Sequence, residues 1–146
     1  MNFRIVRRAQ ASWQGSLADG SGRIGLDSGA FEGPYSLRGR IEDSGSATNP
    51  EEMLGAAEAA CFTMSLANLL TEAGHRARDL RTSAAVTLAS RGGSFDITQI
   101  ALTAVGDVPG IDRERFADLA SHAKNCTISR ALTGTEITLE ANLTVG

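Results

Sequence analysis

Between Met53 and Ala73 apolar residues crowd almost every position: Leu54, Ala56, Ala57, Ala59, Ala60, Cys61, Phe62, Met64, Leu66, Ala67, Leu69 and Leu70. A helix that is apolar all round is ordinarily buried all round, so this run predicts the central core helix of a soluble protein. Its start is marked. Asn49 or Thr48 supplies an N-cap oxygen, and Pro50 suits the first helical position because its missing N–H would be unpaired there anyway. Glu51 and Glu52 then set negative charge on the positive end of the helix dipole, and either can complete a capping box. Gly74 offers the stop. Such a helix of about 24 residues is about 36 Å long. Glu58, Ser65 and Asn68 interrupt it too often for a membrane span.

Elsewhere the alternation has period two. Residues 3–17, which include Trp13, predict a strand, and residues 20–26 a second one after a hairpin turn at Asp19-Gly20. After the turn-like Gly29 to Pro34, the stretch Tyr35 to Ile41 predicts a third strand, and Gly45-Ser46-Ala47 links it to the long helix. Arg81 to Ser90 and Phe95 to Val105 predict two strands around a turn at Arg91-Gly92-Gly93-Ser94, with Pro109-Gly110 breaking the second. Asp112 is placed to cap a second helix whose Phe116, Leu119, Ala120 and Ala123 fall at i, i+3, i+4 and i+7. A short helical turn from Ile128 to Leu132 and a closing strand from Thr135 to Val145 complete the chain.

The order βββ–α–ββ–α–β with hairpin-sized connections predicts an α+β fold, antiparallel sheet packed on helices, in a single domain over residues 1–146. A domain of this length is only about 30 Å across, so one chain cannot cover so long an apolar helix. A homodimer that packs two such helices together would. Composition adds little: 42% hydrophobic and 21% charged residues are ordinary, and a net charge of −3 gives no reason to expect nucleic acid or an anionic membrane as partner. The N-terminus carries arginines on both sides of a short apolar trio and lacks a secretory h-region, which makes the cytoplasm the default location.

The candidate chemistry is cysteine chemistry. Cys61 lies in the middle of the long helix, where a free cysteine also serves as a small hydrophobe. Cys126 follows Lys124-Asn125 and precedes Arg130 at a helix junction, a setting of positive charge that lowers a thiol pKa. The two thiols do not form a CxxC motif, but can act as a peroxidatic and resolving pair if the fold brings them within disulfide distance. Only His75 and His122 are available beside them, without HxxxH, HExxH or CxxC spacing, so no metal or other cofactor is expected. No GxSxG elbow is present, and Gly20-Ser21-Gly22 is a turn and not a phosphate loop.

The run Thr48-Asn49-Pro50-Glu51-Glu52 with Ala57-x-Ala59-Ala60-Cys61-Phe62, followed by Cys126-x-Ile128-Ser129-Arg130, resembles the OsmC/Ohr family. Trp13-x-Gly15, the Tyr35 to Arg40 stretch, Val108-Pro109-Gly110-Ile111-Asp112 and Glu136-Ile137-Thr138-Leu139 look like its OsmC branch. The resemblance implies an intertwined homodimer with thiol-dependent peroxidase activity on organic and, less efficiently, inorganic hydroperoxides. It implies Cys61 as peroxidatic and Cys126 as resolving cysteine, joined in a disulfide during turnover. It further implies Arg40 as the arginine that holds the thiolate and orients the peroxide, and Glu51 as the glutamate paired with it. Dithiols reduce such enzymes, lipoylated proteins among them. Three positions differ from the family's common pattern: Thr127 stands where proline is common, Glu58 where many members have histidine, and Ile41 where an aromatic is usual.

Peroxide cleavage needs a deprotonated sulfur and a group that stabilises the departing alkoxide; a guanidinium supplies both effects. Glu51 precedes Cys61 by ten residues on one helix, about 15 Å along the axis, so it cannot serve its own helix's Cys61 directly. An active site at the dimer interface follows as an expectation. The alternative is a non-catalytic dimeric binding protein with a small hydrophobic ligand in a pocket around Met53, Phe62 and Met64.

Overall fold

The computed structural model describes residues 2–42 and 45–144. Its elements are β1 (Ala9–Gln14), β2 (Ser21–Leu26), β3 (Glu32–Tyr35), α1 (Leu37–Ile41), α2 (Pro50–Glu72), β4 (Asp79–Arg91), β5 (Ser94–Asp107), α3 (Arg113–Ala123), α4 (Thr127–Ala131) and β6 (Glu136–Leu143). The expected α+β class is met. The chain divides into two compact units, Met1–Met53 and Leu54–Gly146.

In the first unit β1, β2 and β3 form an antiparallel meander. The first strand is shorter than its alternation predicts, because β2 offers partners only from Ser21 to Leu26 and the ladder ends where Leu26 faces Ala9. The turn is a loop over residues 15–20 and not a two-residue hairpin. Gly20 N donates to Ser16 O at 2.7 Å, and the Trp13 indole donates to Gly15 O at 3.0 Å. Gly22 stands between Trp13 and Tyr35 in the register. A Cβ there would lie 2.5 Å from the Tyr35 ring and 2.8 Å from that of Trp13. Only glycine lets the two aromatics meet edge to face across the strand, with centroids 5.5 Å apart.

The third strand expected over Tyr35 to Ile41 is corrected. It ends at Tyr35, and Leu37–Ile41 is helical. Ser36 is the reason: its backbone is extended and its Oγ accepts from Gly39 N at 3.0 Å, which makes it an N-cap. Leu37 and Ile41, four apart, fit a helix as well as they fit alternation.

In the second unit the sheet order is β4-β5-β6. β4 and β5 are the expected antiparallel hairpin, but β6 runs parallel to β5, with α3 and α4 in the crossover. The predicted strand end at Val145 lies outside the described residues. Ile100, Leu102 and Ala104, alternate residues of β5, form one core face. Phe62, Leu66 and Leu70 of α2 and Phe116, Leu119, Ala120 and Ala123 of α3 complete it, the α3 set being the one its spacing predicts.

α2 has the predicted ends. Asn49 Oδ1 accepts from Glu52 N at 2.8 Å, and Thr48 Oγ1 donates to Glu52 Oε1 at 2.8 Å. Gly74, at φ +86°, closes the other end: its N–H bonds Thr71 O, and His75 N–H bonds Leu70 O at 2.8 Å, a Schellman stop. Burial on all sides is not met within one chain. Gly55, Glu58, Phe62, Leu66 and Leu70 form a buried stripe, whereas Ala56, Ala57, Ala60 and Met64 are exposed, Met64 by 75%. By length and composition α2 is apolar enough to cross a membrane, though its buried stripe packs into the protein core.

Candidate active site

Cys61 and Cys126, 65 positions apart in the sequence, meet in the second unit. α2 carries Cys61 half-buried on its inner side, and the chain leaving α3 sets Cys126 at the N-cap of α4, 4% exposed. Cys61 stands near enough to the Cys126 sulfur to bear on its pKa, and both thiols are free.

A third side chain joins them. Glu58 lies one turn before Cys61 on α2 and is fully buried. Its Oε1 accepts from Ser129 Oγ at 2.5 Å and from Cys126 Sγ at 3.6 Å, while the Ser129 hydroxyl and Cys126 Sγ stand 3.3 Å apart. Its Oε2 is buried with no hydrogen-bond partner among the described residues. Burial pushes the Cys126 thiol pKa up. Hydrogen bonds from Ser129 offset this in part, and the contacts with Cys61 and the Glu58 carboxylate push it further up. The expectation of a thiol activated by basic neighbours is thereby corrected for Cys126. Arg130 donates to Asn125 O at 3.0 Å instead, and the charge that bears on the sulfur is Glu58.

The first unit holds the arginine and its partner. Arg40, on α1, donates from Nε to Glu51 Oε1 and Oε2 at 2.9 and 3.2 Å and from Nη2 to Oε1 at 2.6 Å. Glu51 is 9% exposed at its side chain and Arg40 33%, so the pair is largely shielded from water. α1 is held beside the start of α2 by Asn49 Nδ2, which donates to Gly39 O at 3.1 Å. Arg40 also borders a cavity of about 450 Å³ lined by Trp13, Leu17, Tyr35, Leu37 and Pro50. Its walls are mostly hydrocarbon, with the guanidinium as the charged group.

Cys61, Cys126, Arg40 and Glu51 are the four residues expected from the sequence, but Arg40 lies on a helix and not on a strand. The alternative expected from the sequence is an apolar pocket around Met53, Phe62 and Met64. Within one chain Phe62 is fully buried in the core and Met64 is 75% exposed. The partnership of Glu58 and Ser129 with Cys126 was missed. Its signal was present in a single carboxylate inside an apolar helix, three residues before a cysteine.

The family model described as OsmC-like protein matches residues 43–141. Peroxiredoxin OsmC of Escherichia coli (strain K12) is 40% identical over 141 residues, covering 95% of this chain and 97% of the relative. The solved organic hydroperoxide resistance protein OhrB of Bacillus subtilis is 26% identical, with a TM-score of 0.66 over 94% of this chain and 98% of that one. An OsmC-like protein of unknown function from Vibrio cholerae O1 biovar eltor shares the fold at 17% identity, with a TM-score of 0.76 over 94% of this chain and 99% of the other.

Proposed function

The chain belongs to the OsmC-like protein family, and from that premise we propose that it is a cysteine peroxidase that reduces organic hydroperoxides, and inorganic ones less efficiently, in defence against oxidative stress. The observation that carries this reading is that the fold brings Cys61 near enough to bear on the Cys126 thiol across 65 residues of sequence. The names of two relatives, a peroxiredoxin and an organic hydroperoxide resistance protein, support the same chemistry.

In the proposed cycle the Cys61 thiolate attacks one peroxide oxygen in line, taking it as sulfenic acid and releasing an alkoxide that is protonated to the alcohol. Arg40 supports this step. A guanidinium favours the thiolate and donates hydrogen bonds to the departing oxygen, and Glu51 fixes its orientation by a charge-assisted fork. The hydrocarbon walls beside Arg40 favour a substrate whose peroxide carries an apolar body. Cys126 then condenses with the sulfenic acid, so that further peroxide meets a disulfide and not an oxidisable sulfur. A dithiol, such as that of a lipoylated protein, resets the pair. The reading takes residues 1–146 as one functional domain in the cytoplasm, working as a homodimer. The exposed apolar stripe Ala56, Ala57, Ala60 and Met64 supports the dimer as a surface a second copy would cover.

The test is a stoichiometric reaction of the reduced protein with cumene hydroperoxide, followed by intact mass and thiol titration. Loss of two hydrogens and of both free thiols is expected, abolished by Cys61→Ser. Two thiols still free after excess peroxide would sink the reading.

A further inference from the structure

Glu58 has no part in that cycle, yet among the described residues it is the one carboxylate in contact with a reacting sulfur. A wholly buried carboxylate is costly unless its oxygens are satisfied. Here Oε1 takes Ser129 Oγ and Cys126 Sγ, while Oε2 has no partner among the described residues. Packing alone would be met at lower cost by a leucine or methionine in this stripe of Phe62, Leu66 and Leu70. The arrangement fits a group kept for moving a proton.

We propose that Glu58 is a catalytic proton carrier for disulfide closure, taking the proton from Cys126 and returning it to the oxygen that leaves Cys61. The inference rests on the peroxidase reading and deepens it. Closure joins a thiol to a sulfenic acid: the Cys126 S–H and the Cys61 S–O bonds break, and the S–S bond forms. The attacking sulfur is oxidised, the sulfenic sulfur is reduced, and hydroxide departs to become water. The Cys126 thiol is held in its neutral form by burial, and a neutral thiol is a poor nucleophile, so a base must take its proton as it attacks. Glu58 Oε1 already accepts that S–H. Glu58 and Cys61 stand at i and i+3 on α2, so the carboxyl formed lies on the same helix face as the departing hydroxide. Ser129 fixes the carboxylate through Oε1.

The test separates the two chemical steps in single-turnover reactions with cumene hydroperoxide. Sulfenic acid is trapped with dimedone, and closure is followed by intact mass. Glu58→Gln preserves shape and a carbonyl oxygen but cannot take up and release a proton; it is expected to accumulate the dimedone adduct and to slow closure about 100-fold, the usual scale of general acid–base catalysis. Glu58→His, which restores a proton carrier, is expected to recover most of that loss. Closure at the parent rate in Glu58→Gln would overturn the proposal, as would equal slowing in the Gln and His variants, the mark of a packing role. Should neither variant fold, a normal solvent deuterium isotope effect on closure in the parent protein supports proton transfer in this step, and its absence overturns it. A parent protein that forms neither adduct nor disulfide refutes the peroxidase reading itself.

Discussion

Arg40 grips Glu51 through two nitrogens, with Nη2 and Nε respectively 2.6 and 2.9 Å from the same carboxylate oxygen. The shape of the guanidinium matters as much as its charge. Lysine would keep the charge and lose the fork. With Arg40→Lys the second-order rate of Cys61 oxidation by an organic hydroperoxide should fall by about 100-fold, the scale set by losing one positioned donor to a developing anion. Stopped-flow tryptophan fluorescence, with Trp13 as the single reporter, would follow it. An unchanged rate would remove Arg40 from the machinery.

Cys126 should make stability depend on alkaline pH. Burial holds its folded-state pKa above the unfolded value, so below about pH 8.5 both states keep the proton and the contribution is intact. As pH rises further the unfolded chain loses this proton first, binds fewer protons than the folded one, and stability declines until the folded value is passed. Urea titrations from pH 7 to 10 should show a steeper alkaline loss for the parent than for Cys126→Ser. Parallel profiles would contradict the direction.

Asn49 has two tasks, capping α2 and holding Gly39 O. Asn49→Ala should cost about 1 kcal/mol or somewhat more, read as a lower urea midpoint at constant m-value.

At Gly22 the expected outcome is a local one. A methyl group there would push apart the Trp13 and Tyr35 rings that wall the cavity beside Arg40. Gly22→Ala should lower stability by about 1–3 kcal/mol, as overpacking does, and change the near-ultraviolet circular dichroism of Trp13. A variant as stable as the parent would show that the rings can separate freely.

Met64, in the exposed apolar stripe, tests association. If a second copy covers it, sedimentation should give twice the monomer mass for the parent and a shift toward monomer for Met64→Glu. A parent that sediments as a monomer would remove the dimer from the proposed function.

Much of the frame was legible because it depends on local chemistry. Asn49-Pro50-Glu51-Glu52 and Gly74 bracket α2, Asp112 caps α3, and the spacing of Phe116, Leu119, Ala120 and Ala123 names its buried face. Long-range choices were not legible. Leu37-Arg38-Gly39-Arg40-Ile41 satisfies either period, and what decides is the end of β2 as a pairing partner together with the Ser36 cap. The parallel β5–β6 ladder depends on how the chain returns, which alternation does not encode. Cys126 looked activated from its basic neighbours in sequence, whereas its neighbours in space are Glu58, Ser129 and Cys61.

The parallel strand also fixes a chronology. Chains emerge from the ribosome amino end first, at about 5–20 residues per second. The β4–β5 hairpin is local and can zip as soon as Asp107 is out, with Cys61 already exposed on α2. The crossover that seats Cys126 is pinned only when Glu136–Leu143 slides in beside β5, a non-local and slower event. For several seconds each newborn molecule therefore carries one cysteine without the other in place. In a peroxide-rich cell, the nascent chain would be more vulnerable to irreversible sulfur oxidation than the finished protein.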